Sequence, residues 1–163
     1  MIAGNLRKAY TNGFNREARA RLLYASAIAG MAFSNTQNGV IHALGMAAPA
    51  QYHLPHGLLI AAIAPMGIAF NYTAAPEKYA KIAAILGCSH AGKNINEQAR
   101  SAVEGFENLL RDLDVTPGLK SCGIKREDLR GIAERAAAAA RLMGNNPRRG
   151  SADDLEKLLE QYY

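Results

Sequence analysis

The sequence predicts an all-α protein of one domain, with seven or eight helices around a single core. Alanine is abundant and β-branched residues are sparse, which favours helix over strand. Capping residues recur ahead of periodic segments, and no β-alternation of useful length occurs. A chain of 163 residues is long enough to bury one sizeable core.

Residues 1–10 read as the tail of a helix stopped by "TNG". No cap precedes "IAGNLRKAY", so the expectation is that it ends something longer. "NREARARLLYASAIAGMAF" starts at an Asn15 cap and turns from amphipathic to wholly apolar, which predicts exposed first turns and a buried second half. "SNTQNG" breaks it, and a third helix carries Val40, Ile41, Leu44 and His42 toward Pro49. Pro55 starts a fourth, running to Phe70, because its fixed φ suits a first turn. "APEKYAKIAAILG" has Pro76 near its start and Gly87 as its C-terminal cap. In "NINEQARSAVEGFENLLRDLD", Asn94 and Glu97 have capping-box spacing. "KREDLRGIAERAAAAARLMG" reads as one helix ending at Gly144, and Ser151 caps "SADDLEKLLEQYY".

The net charge of +5 and pI near 9.4 do not point to nucleic acid. The basic residues are scattered and offset by Glu17, Glu77, Glu104 and Glu134, with no basic stripe interleaved with aromatics. No Walker A loop or dinucleotide fingerprint occurs. Cys88 and Cys122 lack CxxC spacing, which suggests a reduced, cytoplasmic protein, and "MIAGNLRKAY" lacks the apolar core of a signal peptide. Residues 22–76 contain no Asp, Glu, Lys or Arg, yet the apolar runs are shorter than the roughly 18 residues a spanning helix needs. They are expected to be core helices.

Three of the four histidines fall in that uncharged stretch, in "GVIHALGMAAPAQYHLPHG". A buried imidazole needs a partner, so each is either hydrogen-bonded, near the surface, or bound to metal. His53 and His56 flank Pro55 and can both cap the fourth helix; His90, in "GCSHAGKN", reads as surface. Alternatively, His42 and His56 lie on consecutive helices whose short joint can turn both rings toward one metal ion. Catalytic zinc or ferrous iron takes three or four protein ligands, and no carboxylate occurs between Glu17 and Glu77. Any acidic ligand must come from a distant helix or another polypeptide. Ser34 has no nucleophile-elbow context, and Cys88 has only His90 nearby, so neither suggests a hydrolase.

The stretch "GMAFSNTQNGVIHALGMAAPAQYHLPHG" with "IAPMGIAFN", "PEKYAKIAAILG", "LKSCGIKREDLRGIAERA" and "NNPRRGSADDLEKLLEQYY" resembles the C-terminal helical domain of iron-type (group III) metal-dependent alcohol dehydrogenases, a dehydroquinate-synthase-like fold. The signature is Gly-x-x-His-Ala/Gly-x-x-His, about ten residues, then His-Gly, followed by a "KYxxIAxxxG" helix and an "NPR" stop. The resemblance covers nearly the whole chain. It implies that residues 1–163 are the all-helical metal-binding domain, and that an N-terminal NAD(P)-binding domain lies outside the chain. It implies Fe2+ or Zn2+ as cofactor, with His42 and His56 as two ligands and an Asp-x-x-x-His pair upstream of Met1 as the others. Phe33, Asn38 and Met46 fall at positions that line the substrate pocket. Met46 stands where the family has a second histidine that relays a proton near the nicotinamide, and a thioether cannot do so. Ala48-Pro49 replaces the usual Leu-Gly.

The expected function is therefore that of a helical part of an oxidoreductase acting on a small alcohol or aldehyde, inactive as an isolated chain. The expected partner is an N-terminal half-subunit or a second copy, with no nucleic acid and no membrane. The competing reading is a non-catalytic helical interaction module with a decayed metal site.

Overall fold

The computed structural model describes residues 1–88 and 92–163, so His90 lies outside the described residues. Among them there is no strand, and the chain forms helices α1 (Ile2–Thr11), α2 (Arg16–Thr36), α3 (Val40–Ala47), α4 (His56–Asn71), α5 (Pro76–Ile85), α6 (Ile95–Arg111), α7 (Leu129–Ala138), α8 (Ala140–Met143) and α9 (Ala152–Gln161). Local chemistry sets the starts of α2, α5, α6 and α9. Asn15 accepts from the Ala18 N–H, and Asn94–Glu97 and Ser151–Asp154 each form a reciprocal capping box. Pro76 opens α5, and Gly87 follows its last turn at φ 81°, the left-handed conformation that glycine adopts without penalty.

The main core lies where α3, α4, α7 and α9 meet. Leu44, Ile63, Met66, Ile132, Leu155 and Leu159 are all buried there. α5 and α6 pack along one another and close a second cluster around Ile68, Ala83 and Ala102. Helix α4 links the two. The helical run His56–Ala74, α4 with the turn that follows it, is by length and composition alone sufficient to cross a membrane. This exceeds the length read from the sequence, because the helix continues past Phe70. Most of it is buried within the protein, as in a core helix.

Two other expectations are corrected. The second half of α2 is not buried: only Ala18 and Ala25 are, while Leu23 and Met31 are 72% and 63% exposed. α2 packs chiefly on α1, so its apolar circumference meets a neighbour on one side only. Arg7 and Tyr10 tie this hairpin to Asp112 and Asp114, just beyond α6. The helix read as continuous to Gly144 breaks at Ala139, where ψ is 68° and α8 begins. The break falls within five consecutive alanines, whose identical side chains give no local signal for it.

Candidate metal centre and the cavity beside it

His42 sits on the first turn of α3, and His56 is the first residue of α4. Their ring centres are 5.7 Å apart and the ring planes are tilted by 57°. The short joint between them is pinned at several points. The Tyr52 hydroxyl donates to Asp128 and accepts from the Lys125 N–H at 3.1 Å, and Arg135 Nε donates to the Ala47 carbonyl at 3.0 Å. These bonds hold both ends of the joint against the start and end of α7.

The other end of the helix pair is held by Asn146. Its side-chain oxygen accepts from the Val40 N–H at 3.0 Å and from Asn71 Nδ2 at 2.9 Å. Its amide donates to Asn71 Oδ1 and to the Arg148 carbonyl, both at 2.7 Å. Asn146 thus satisfies an otherwise orphaned N–H at the start of α3 while gripping the last residue of α4. The "NPR" stop in the sequence is, physically, the clamp between the two histidine helices. Between the clamp and the joint, Gly67 lets α4 approach α3: a Cβ there would lie 2.2 Å from Ile41 Cγ1.

The ring-centre separation lies in the range for two imidazoles sharing one ion. An ion about 2.1 Å from each coordinating nitrogen lies about 3.2 Å from each ring centre, so two rings on it stand about 5–6 Å apart. Partial burial, reinforced by repulsion from His56, lowers the pKa of His42 and favours the neutral, ligating form. His56 itself is exposed. His53 is not brought into the set; it ends a 3-10 turn at φ 46°, and no group of three or more His, Cys, Asp or Glu gathers among the described residues. Two imidazoles leave the remaining positions to donors from outside those residues. Neither His53 nor His56 supplies a side-chain cap to α4.

A cavity of about 610 Å3 opens between the end of α2, α3 and the α7–α8 break; it reaches α3 at Met46, and neither histidine of the pair lines it. Phe33, Asn38 and Met46 all line it, so the structure brings these three together. Met46 lies one turn after His42 and on the same side of α3. The break at Ala139 also adds Arg141 and Leu142, which sequence reasoning missed. Cys88 and Cys122 are unpaired thiols.

Comparison with known proteins agrees with this architecture. Residues 1–163 match the Fe-containing alcohol dehydrogenase family, C-terminal part. A sulfoacetaldehyde reductase of Bilophila wadsworthia is 49% identical over 98% of this chain, and a 1,3-propanediol dehydrogenase of Klebsiella pneumoniae is 33% identical over 100% of it. The chain spans 42% of the length of each. Among solved structures, a 1,3-propanediol oxidoreductase superposes with a TM-score of 0.93 at 33% identity, and an alcohol dehydrogenase from Oenococcus oeni with 0.92 at 33%. Each alignment covers 99% of this chain and 42% of the other. Matched by the family over its whole length and superposing on solved members through its helices, the chain belongs to the iron-containing alcohol dehydrogenase family and corresponds to its C-terminal domain.

Proposed function

We propose that this chain is the metal-holding helical part of an NAD(P)-dependent oxidoreductase acting on a short alcohol or aldehyde. The observation that carries the reading is the His42–His56 pair, 5.7 Å between ring centres, with a largely apolar cavity lined by Met46 one turn along α3. His42 and His56 hold an iron or zinc ion, and the remaining ligands and the nicotinamide site come from residues outside 1–163. When bound, the ion supplies Lewis acidity to an alcohol or carbonyl oxygen. Phe33 and Met46 offer apolar contact to the carbon chain of the substrate, and the Asn38 amide orients it by hydrogen bonding. Met46 exchanges no proton, so proton transfer falls to another group. The two relatives above act, by name, on short-chain substrates, which suits a cavity of this size.

Equilibrium dialysis with zinc, and anaerobically with ferrous iron, tests the reading. Weak binding of up to one ion per chain is expected, since two ligands are supplied from elsewhere, with that binding lost in both His42→Ala and His56→Ala. Binding unchanged by both substitutions would sink it. The non-catalytic alternative, favoured by Met46 beside His42, predicts no ion bound even when the rest of the family's protein is supplied in trans. The chain alone is expected not to turn over NAD(P)+ with any small alcohol.

A further inference from the structure

Among the described residues, one charged side chain lines the cavity at the end of α2, and no opposite charge shares its wall. That side chain is Arg141. Arg141 takes part in none of the ion pairs formed between described residues. Its Nε donates to Gln37 Oε1 at 2.9 Å, which uses one of the five guanidinium hydrogens and orients the group. Its two Nη groups donate to no acceptor among the hydrogen bonds of the described residues.

The backbone on both sides is unusual where this pair forms. Gln37 ends α2 at φ 64°, ψ 177°, a conformation a non-glycine residue rarely holds. Its N–H still closes the last turn of α2 on the Phe33 carbonyl at 2.8 Å, so its position is fixed from both ends. Opposite, the break at Ala139 redirects the chain just before Arg141. Two departures from regular helix thus meet at one hydrogen bond on the cavity wall.

The geometry points to Arg141, oriented by Gln37, as the group that receives an anionic terminus of the substrate: a sulfonate or carboxylate on a short aldehyde or alcohol. This rests on the reading of the cavity as the substrate pocket. A guanidinium fork matches two oxygens of such a group at once, which a lysine cannot do. Phe33, Met46 and Leu142 line the same wall and offer apolar contact to the short carbon chain of such a substrate. An uncharged alcohol has no use for that fork, so the device selects by charge.

Nuclear magnetic resonance of the 15N-labelled chain tests this. The Arg141 Nε–H and the side-chain amides of Gln37 and Asn38 are followed during titration with 2-hydroxyethanesulfonate, 3-hydroxypropanoate, 1-propanol and inorganic phosphate. Both organic anions are expected to shift all three signals saturably, and 1-propanol to leave Arg141 in place. Arg141→Gln is expected to weaken anion binding at least tenfold with the rest of the spectrum unchanged, and Arg141→Lys to weaken it less. Equal binding of 1-propanol, anion binding unaffected by Arg141→Gln, response to phosphate alone, or no saturable shift with either anion each overturns the inference. A parallel zinc titration follows His42 and His56. Silent histidines with a responsive Arg141 uphold the anion site and count instead against the metal reading.

Discussion

Asn71 and Asn146, 75 positions apart, exchange two side-chain hydrogen bonds of 2.9 and 2.7 Å in the core. Through the same side chain, Asn146 caps α3 at the Val40 N–H. The first turn of α3, which carries His42, is thereby fixed to the last residue of α4, the helix that His56 begins. The Asn146 amide thus joins the two helices in addition to their packing through Gly45 against Ile60 and Gly67 against Ile41.

Asn146→Ala is therefore expected to destabilise the fold by about 2–4 kcal/mol, since each buried polar group left unpartnered costs about 1–3 kcal/mol. Urea unfolding reads this as a lower midpoint at unchanged slope. A midpoint within error of the parent would mean that the clamp carries no load.

Gly67→Ala tests the approach of α4 to α3. The added Cβ would lie 2.2 Å from Ile41 Cγ1, which is not the far end of that side chain, so the helices must separate. A loss of about 1–3 kcal/mol is expected, the usual cost of overpacking. Zinc affinity should fall with it. His56→Ala provides the contrast: the side chain is exposed, so stability should change by no more than about 0.5 kcal/mol while zinc binding is lost.

Acid sensitivity should trace to Asp154. The Ser151 backbone N–H and then its hydroxyl donate to this carboxylate and hold its pKa below the ordinary aspartate value. A depressed folded-state pKa stabilises the fold above the unfolded value, near pH 4, and that contribution fades as pH falls toward the lower folded value. Asp154→Asn should flatten the acid limb of the melting-temperature profile between about pH 5 and pH 2. Parallel profiles for parent and variant would contradict this.

The exposed face of α2 should drive association. Leu23, Tyr24, Ile28 and Met31 present a contiguous run of large apolar side chains, and patches of several hundred Å2 or more are usually covered by a partner. A dimer or larger species is expected by light scattering at tens of micromolar, shifting to monomer in an Ile28→Glu/Met31→Glu variant. A monomeric parent would remove this role for α2.

What the sequence determined by itself was local. The caps at Asn15, Asn94 and Ser151 were legible because their bonds close within three residues, and the helix type followed from composition and period. The His42–His56 spacing was legible too, since only a short joint separates their helices. The resemblance to the family, carried by that spacing and the "NPR" stop, placed Phe33, Asn38 and Met46 along one wall before any geometry was known. Tertiary structure alone decided the rest. Periodicity read the second half of α2 as buried, but burial depends on a neighbour, and α1 covers only one side. Five alanines looked like uninterrupted helix, yet the chain turns at Ala139 and carries Arg141 to Gln37, 104 positions away. Asn146 reads locally as a loop residue; its partner N–H lies 106 positions earlier. Contacts of that separation have no spacing rule, because they form only once the core has brought distant helices together.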